Sequence, residues 1–191
     1  MAPSASLGVV RCPWGDDPAM TAYHDAEWGR ELRADRELFE RMSLEAFQSG
    51  LSWLIILRKR DRFREVFADF APDVVASFDH DDVTRLLDDS GIVRNRMKIE
   101  ATISNARTLL DLGESFTDLL WSFAPPARPA PQTFADVPST TAESIAMATA
   151  LKKRGFRFFG PTTAYALMQA TGMVNDHLEQ CVARHGSYTG G

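Results

Sequence analysis

Apolar residues recur along this chain at spacings of three and four, and no run alternates apolar with polar positions as a strand would. A helix is predicted from about Asp35, with Leu38, Phe39, Met42 and Ala46 along one stripe. A second runs from about Ser52 through Trp53, Ile56, Leu57, Phe63 and Phe67. Asp79 is placed to cap a short helix ending at Gly91, since glycine suits the left-handed residue after a helix. The pattern returns from about Arg94 to Leu112 and stops at Gly113. Ser115 with Asp118 reads as a capping box for a helix bearing Leu119, Leu120 and Phe123; Thr140 with Glu143 reads as another, for a helix ending at Gly155. Between them Pro125, Pro126, Pro129, Pro131 and Pro138 exclude helix and mark an extended connection. Gly160-Pro161 opens a further helix that stops at Gly172, and a last one is predicted near Asp176. No segment repeats another. The expected fold class is all-α: short helices in a single domain over residues 11–184, arranged as two lobes around a cleft, with tails at 1–10 and 185–191.

Composition narrows the setting. No apolar run approaches the roughly 18–20 residues needed to cross a bilayer. The first ten residues lack the basic start and apolar stretch of a secretory signal, so no membrane partner is expected and the cytosol is the default location. In a reducing compartment Cys12 and Cys181 are expected to bind metal or simply to be buried, not to form a disulfide. A net charge of −5 argues against a protein that coats DNA through bulk electrostatics, although one local basic face would suffice. The candidates are Arg58, Lys59, Arg60, Arg62 and Arg64; Arg94, Arg96 and Lys98; and Lys152, Lys153, Arg154 and Arg157. Charge runs are more often solvated helix surfaces.

Glu45 stands out because its spacing from Leu38 and Met42 puts it on the apolar stripe of its helix. An unpaired carboxylate is costly to bury, so it needs a partner or a purpose, unless the helix frays before Ser49-Gly50 and leaves it wet. The following turn, Gln48-Ser49-Gly50-Leu51-Ser52-Trp53, places Leu51 either as a staple between helices or as a wedge of the kind that base-flipping enzymes push into a stack. Trp14, Tyr23, Trp28 and Trp53 form an aromatic set suited to stacking on a flipped base, or to an ordinary core.

Each cysteine has a histidine at a suggestive distance: His24 lies twelve positions after Cys12, and His177 four before Cys181. An i, i+4 pair on a helix would present both side chains on one face, and two Cys with two His would fill a closed zinc shell. Buried cysteines beside ordinary histidines are the alternative. The segment 155–167, GFRFFGPTTAYAL, looks like a helix-hairpin-helix element, whose turn lets backbone N–H groups and a helix N-terminus reach a phosphate.

Most of the chain between residues 11 and 181 resembles the type I 3-methyladenine DNA glycosylases, within the helix-hairpin-helix glycosylase superfamily. The similarity lies in Arg11-Cys12-Pro13-Trp14, Tyr23-His24-Asp25-Ala26-Glu27-Trp28-Gly29, the run from Leu44 to Trp53, Ser90-Gly91-Ile92-Val93-Arg94, Trp121-Ser122-Phe123, Leu151 to Phe156, and Met173-Val174-Asn175-Asp176-His177 with Cys181. The resemblance implies a monofunctional glycosylase that flips 3-methyladenine out of double-stranded DNA, hydrolyses its glycosidic bond and releases the free base, acting as a monomer. It implies a structural Zn²⁺ on Cys12, His24, His177 and Cys181. Glu45 matches the glutamate that recognises the methylated base, Tyr23 and Trp53 the aromatics that sandwich it, with Trp14 and Trp28 nearby. Gln48, Gly50 and Leu51 match the loop that enters DNA, and Gly155, Phe159, Gly160 and Thr162 belong to the hairpin expected to hold it. Met20 falls where many relatives place a tyrosine near the base, and Ala46 replaces a frequent glycine and is expected to narrow the pocket. The superfamily's catalytic aspartate, in a Val-Asp-x-His sequence, aligns with Asn175, or with Asp176 after a one-residue shift. The lysine of bifunctional members is replaced by Thr162, so no strand cleavage is expected.

Overall fold

The computed structural model describes residues 9–14 and 17–185, so the expected tails lie outside the described residues except for Val9, Val10 and His185. Every regular element among the described residues is helical. In chain order these are α1 (Pro18–Ala26), α2 (Asp35–Gln48), α3 (Trp53–Val66), α4 (Pro72–Ser77), α5 (His80–Asp88), α6 (Arg96–Leu110), α7 (Phe116–Trp121), α8 (Ala142–Lys153) and α9 (Pro161–Ala170). Short 3-10 turns lie at Ala68–Phe70, Phe134–Asp136 and Val182–His185. No helix of the described residues is long and apolar enough to cross a membrane.

Caps set most of these boundaries. Asp79 accepts from the backbone of Asp81 and Asp82 while Asp82 reaches back, as a capping box requires. Ser115 Oγ accepts from the Asp118 backbone at 3.1 Å, one half of the predicted box. The box predicted at Thr140 and Glu143 forms one residue later: Thr141 Oγ1 accepts from Ser144 N, and Ser144 Oγ accepts from Thr141 N at 2.9 Å. Ser144 is fully buried, so its hydroxyl must be satisfied inside the protein, which the cap does. Gly91 also departs from expectation. Helix α5 ends at Asp88, and Gly91 does not take a left-handed φ; it provides space, since a Cβ there would lie 2.5 Å from Cγ of Arg62.

The helix predicted near Asp176 does not form. Residues 176–181 run as turns, and only Val182–His185 winds into a 3-10 turn. Asp176 is buried and its carboxylate is occupied by Arg128, Tyr165 and Gln169, so it is not available to cap a helix.

One apolar core joins α2 through α9, with Phe39, Phe47, Phe63, Phe67 and Phe116 fully buried within it. The N-terminal segment contributes little to that core. It joins a small separate cluster of Cys12, Cys181 and Ala183, with Trp14 and Leu178 against it. Main-chain bonds lash it to the C-terminal part: Gly29 N donates to Gln169 O at 3.0 Å, Leu32 N to Thr171 O at 3.2 Å, and Val182 N to Val10 O at 2.9 Å.

Gly172 is the tightest point of this lashing. Its φ is +75°, and a Cβ would sit 2.6–2.8 Å from backbone atoms of Arg30 and Glu31. Gly172→Ala is expected to destabilise the protein by about 1–3 kcal/mol, from left-handed strain with a backbone clash added. Urea denaturation measures it; a midpoint equal to wild type would show that the loop at residues 30–31 yields freely.

Candidate functional site

A cavity of about 340 Å³ opens between the N-terminal segment and α2, α3 and α9. It is lined by Trp14, Met20, Tyr23, Trp28, Glu45, Gln48, Trp53, Phe134, Ala166 and Gln169. The five residues expected around a base (Tyr23, Trp53, Trp14, Trp28 and Met20) thus come together with Glu45, although they are spread over forty positions of the chain. The ring centroids of Tyr23 and Trp53 lie 5.3 Å apart and those of Trp14 and Trp28 5.0 Å apart, the latter edge to face. Ala46 does not itself line the cavity; it is buried beside Glu45. Phe134, Ala166 and Gln169 escaped sequence reading. The first lies in the proline-rich connection, and the other two share one face of a helix that reads as core. A glutamine on that apolar face was the available signal.

Glu45 is 5% exposed and has no cation within ion-pairing range among the described residues. Burial pushes its carboxyl up to about 7, against the opposing pull of Arg41 one turn earlier on α2. Arg41 donates to Glu27 at 3.1 Å, and Glu27 also receives Arg60 at 2.6 and 2.9 Å. The Arg41 guanidinium lies 5.1 Å from the Tyr23 ring centre, so a charged cluster backs the aromatic wall. The indole N–H of Trp53 is buried without a partner among the described residues.

Cys12, His24, His177 and Cys181 are all buried, and one ligand atom from each lies within 4.8 Å of every other. His24 Nδ1 contacts Asp25 Oδ1 at 2.7 Å, and His177 Nε2 lies 3.0 Å from the Trp28 carbonyl. Both acceptors fix the ring proton on the outer nitrogen, so His24 Nε2 and His177 Nδ1 turn unprotonated lone pairs toward each other, 3.2 Å apart. Two lone pairs facing one another call for a cation. Separations of 3.4 Å from Cys181 Sγ to His24 and 3.6 Å to His177 are close to the roughly 3.3–3.6 Å edges of a tetrahedral zinc shell. Burial lowers His177 to about 4, keeping it neutral as a ligand must be. His177 and Cys181 converge through a turn, not along the helix that their spacing suggests.

Two other expected elements share one face. The turn between α8 and α9 carries Gly155 at φ +100° and Phe158 at φ +56°. Asn105 of α6, itself buried, grips its backbone: it accepts from Arg157 N at 2.8 Å and donates to Arg157 O at 3.0 Å. A groove of about 910 Å³ runs along this turn, including Gly155, Phe159 and Gly160, and reaches Ser49 beside Gly50 and Leu51. Phe159 sends its ring into the core, while Phe158 is exposed; Thr162 is exposed at the first turn of α9. Lys98 of α6 donates to the carbonyls of Phe47 and Ser49 at 2.9 and 2.7 Å, closing the end of α2 where the Leu51 turn begins. Most of the basic run 58–64 is neutralised internally: Arg58 pairs with Asp17, Arg60 with Glu27, Arg62 with Asp89 and Arg64 with Glu40. Lys152, Lys153 and Arg157, by contrast, are exposed near the groove with no carboxylate partner among the described residues. Neither Asn175 nor Asp176 lines the cavity; Asn175 is exposed and accepts from His177 N at 3.3 Å.

Known proteins align with this architecture. The family model described as methyladenine glycosylase matches residues 14–185. DNA-3-methyladenine glycosylase 1 of Escherichia coli K12 is 45% identical over 185 residues, covering 94% of this chain and 99% of that protein. A crystal structure of a 3-methyladenine DNA glycosylase I superposes with a TM-score of 0.88 at 46% identity, covering 91% of this chain and 98% of its own. A Staphylococcus aureus 3-methyladenine DNA glycosylase I, solved for its recognition of 3-methyladenine, gives 0.87 at 33% identity, covering 91% and 96%.

The buried carboxyl has a consequence for stability. In the unfolded chain it ionises near its ordinary 4.5, in the fold near 7, so stability is lost as pH rises through that interval and then levels off. Glu45→Gln is therefore expected to stabilise the protein at pH 8, by up to about 3 kcal/mol, and to make little difference at pH 4. Thermal unfolding across pH tests this; a gain that does not grow between pH 4 and pH 8 would contradict the assignment.

Proposed function

This chain belongs to the methyladenine glycosylase family, and we propose that it excises 3-methyladenine from alkylated double-stranded DNA by flipping the nucleotide into the aromatic pocket. The observation that carries this reading is Glu45, a carboxylate buried without an ionic partner beneath aromatic rings. Such a group awaits a ligand that brings positive charge and hydrogen-bond donors, and a purine methylated at N3 brings both. Tyr23 and Trp53 offer faces for stacking, with a cation–π contribution from the charged base. Trp14, Trp28 and Met20 close the remaining sides. Met20 supplies bulk where a tyrosine would add a hydroxyl.

The chemistry asks little of the protein beyond this. The glycosidic C1′–N9 bond breaks with its electrons passing to the cationic ring, so the base leaves neutral; water adds to C1′ and its proton goes to solvent. Glu45 favours the charged purine in a site that excludes water, and the fit of the pocket excludes unmodified bases. No lysine lines the cavity, in keeping with a monofunctional enzyme that leaves the strand uncut. On the DNA face, Gln48 and Gly50 shape the turn that presents Leu51 as the wedge: Gln48 Nε2 donates to Leu51 O at 2.7 Å and Gly50 takes φ +84°. Gly155, Phe159, Gly160 and Thr162 form the hairpin, whose backbone amides and α9 N-terminus suit a phosphate, with Lys152, Lys153 and Arg157 adding local charge.

The buried Cys12, His24, His177 and Cys181 group fits Zn²⁺ in its donor set, tautomers and spacing. Four protein ligands fill the shell, so the metal would supply a cross-link between the two ends of the domain.

Two measurements test these assignments. Incubation with DNA treated with a methylating agent is expected to release 3-methyladenine, detected by chromatography, with strands intact on a denaturing gel. No release by a folded, metal-loaded protein would instead favour a DNA-binding role without catalysis. Elemental analysis is expected to find about one zinc per chain, and Cys181→Ser to lose it along with several kcal/mol of stability. A metal-free variant that unfolds at the wild-type temperature would remove the zinc from the account.

A further inference from the structure

Gln169 is a polar side chain of the pocket whose orientation is fixed from behind. Gln169 lies on α9 one turn after Ala166, and both face the cavity. Its amide nitrogen donates to Asp176 Oδ2 at 2.9 Å. A carboxylate only accepts, so this contact settles which end of the amide is which. Asp176 in turn is clamped: Tyr165 OH donates to the same oxygen at 2.5 Å, and Arg128 donates to Oδ1 at 2.5 Å. Asp176 is 2% exposed and adjoins His177 in the turn that closes the chain, so the clamp has little freedom to move.

With its nitrogen held, Gln169 has one polar side-chain atom left. No described residue donates to Oε1, and this oxygen is not among the sealed, unpartnered atoms of the protein. It is therefore accessible, on a residue that lines the cavity. The cavity is thus lined by side-chain acceptors on Glu45, on Gln169 and on Gln48, whose amide nitrogen is bonded to Leu51 O.

We propose that Gln169 is a specificity-determining residue that selects a 6-amino over a 6-oxo purine, with Asp176 as the positioning residue that keeps its amide from turning over. The proposal rests on reading the cavity as the base pocket. A 6-amino purine brings N–H donors to an acceptor. A 6-oxo purine brings an oxygen to an oxygen, losing the hydrogen bond and adding repulsion. Without the Asp176 anchor the amide could rotate and offer its NH₂ to the 6-oxo base, erasing the distinction. This gives the buried Asp176, held by Tyr165 and Arg128 outside the cavity, the task of positioning a pocket residue.

The test compares single-turnover excision of 3-methyladenine and 3-methylguanine from methylated DNA by the wild type and by Gln169→Met, which keeps length and loses the acceptor. The ratio of the two rates is expected to fall roughly tenfold or more. A purely structural role for Gln169 would slow both reactions alike, and an unchanged ratio would overturn the proposal. A second measurement needs no variant: quenching of tryptophan fluorescence in the wild type by free 3-methyladenine and by 3-methylhypoxanthine, its 6-oxo counterpart. Tighter binding of the 6-amino base is expected; equal affinity would overturn the proposal even if excision is observed. Absence of excision of either base by the wild type would count against the glycosylase reading itself, a distinct result.

Discussion

The junction of the two chain ends at Cys12, His24, His177 and Cys181 is the constraint on which the pocket depends. Three of its aromatic walls, Trp14, Tyr23 and Trp28, lie on an N-terminal segment that barely enters the main core. The floor and the opposite wall, Glu45 and Trp53, stand on helices locked into that core. What holds the two halves in register is contact with the junction: the Trp28 carbonyl meets His177, and Trp14 packs edge-on against His24 at 4.9 Å. Tyr23 adjoins His24 of the junction in the chain. Aromatic walls select a base only if their spacing is fixed before it arrives, so a tie placed beside the walls is worth more here than the same tie elsewhere.

A comparable economy governs the face proposed to meet DNA. Helix α6 reaches both of its parts from one side, with Lys98 closing the end of α2 ahead of Leu51 and Asn105 gripping the hairpin at Arg157, two turns further along. The Leu51 turn and the turn between α8 and α9 are therefore set relative to each other by one rigid element. This explains how a protein of net charge −5 suits an anionic polymer. Its densest basic run is largely spent on internal ion pairs, and what remains for DNA is a small set of exposed cations around a turn of preorganised backbone.

What the sequence revealed and what it hid follow from the range of the interactions. Helix stripes, the Asp79 cap and the misplaced polarity of Glu45 are local, and they were legible. The cysteine and histidine spacings were suggestive, but the helix they implied does not exist, because convergence at the junction is a property of the whole fold. Lys98, expected as one of the cations of a basic face, is instead buried, and Asn105 read as an ordinary helix position; both act on carbonyls and amides about fifty residues away. Asp176 looked like a helix start or a displaced catalytic acid; its partners Arg128 and Tyr165 lie 48 and 11 positions earlier, and nothing near it in sequence names them. Gln169 was hidden for the same reason.

Within the proposed function, the energetics of Glu45 extend to the choice of substrate by charge. Above pH 7 the empty pocket carries a carboxylate that its surroundings penalise, with Arg41 offsetting only part of the cost of burial. A cationic purine relieves that penalty on entering; neutral adenine, of nearly the same shape, does not. The discrimination is then a difference between two occupied states, and it grows with whatever strain the vacant one stores. Partial rather than full compensation by Arg41 serves this end: a cation bonded directly to Glu45 would stabilise the empty site and remove the incentive to admit a charged base. Glu27 draws the Arg41 guanidinium into its own ion pair, leaving Glu45 near a positive charge but not matched to it.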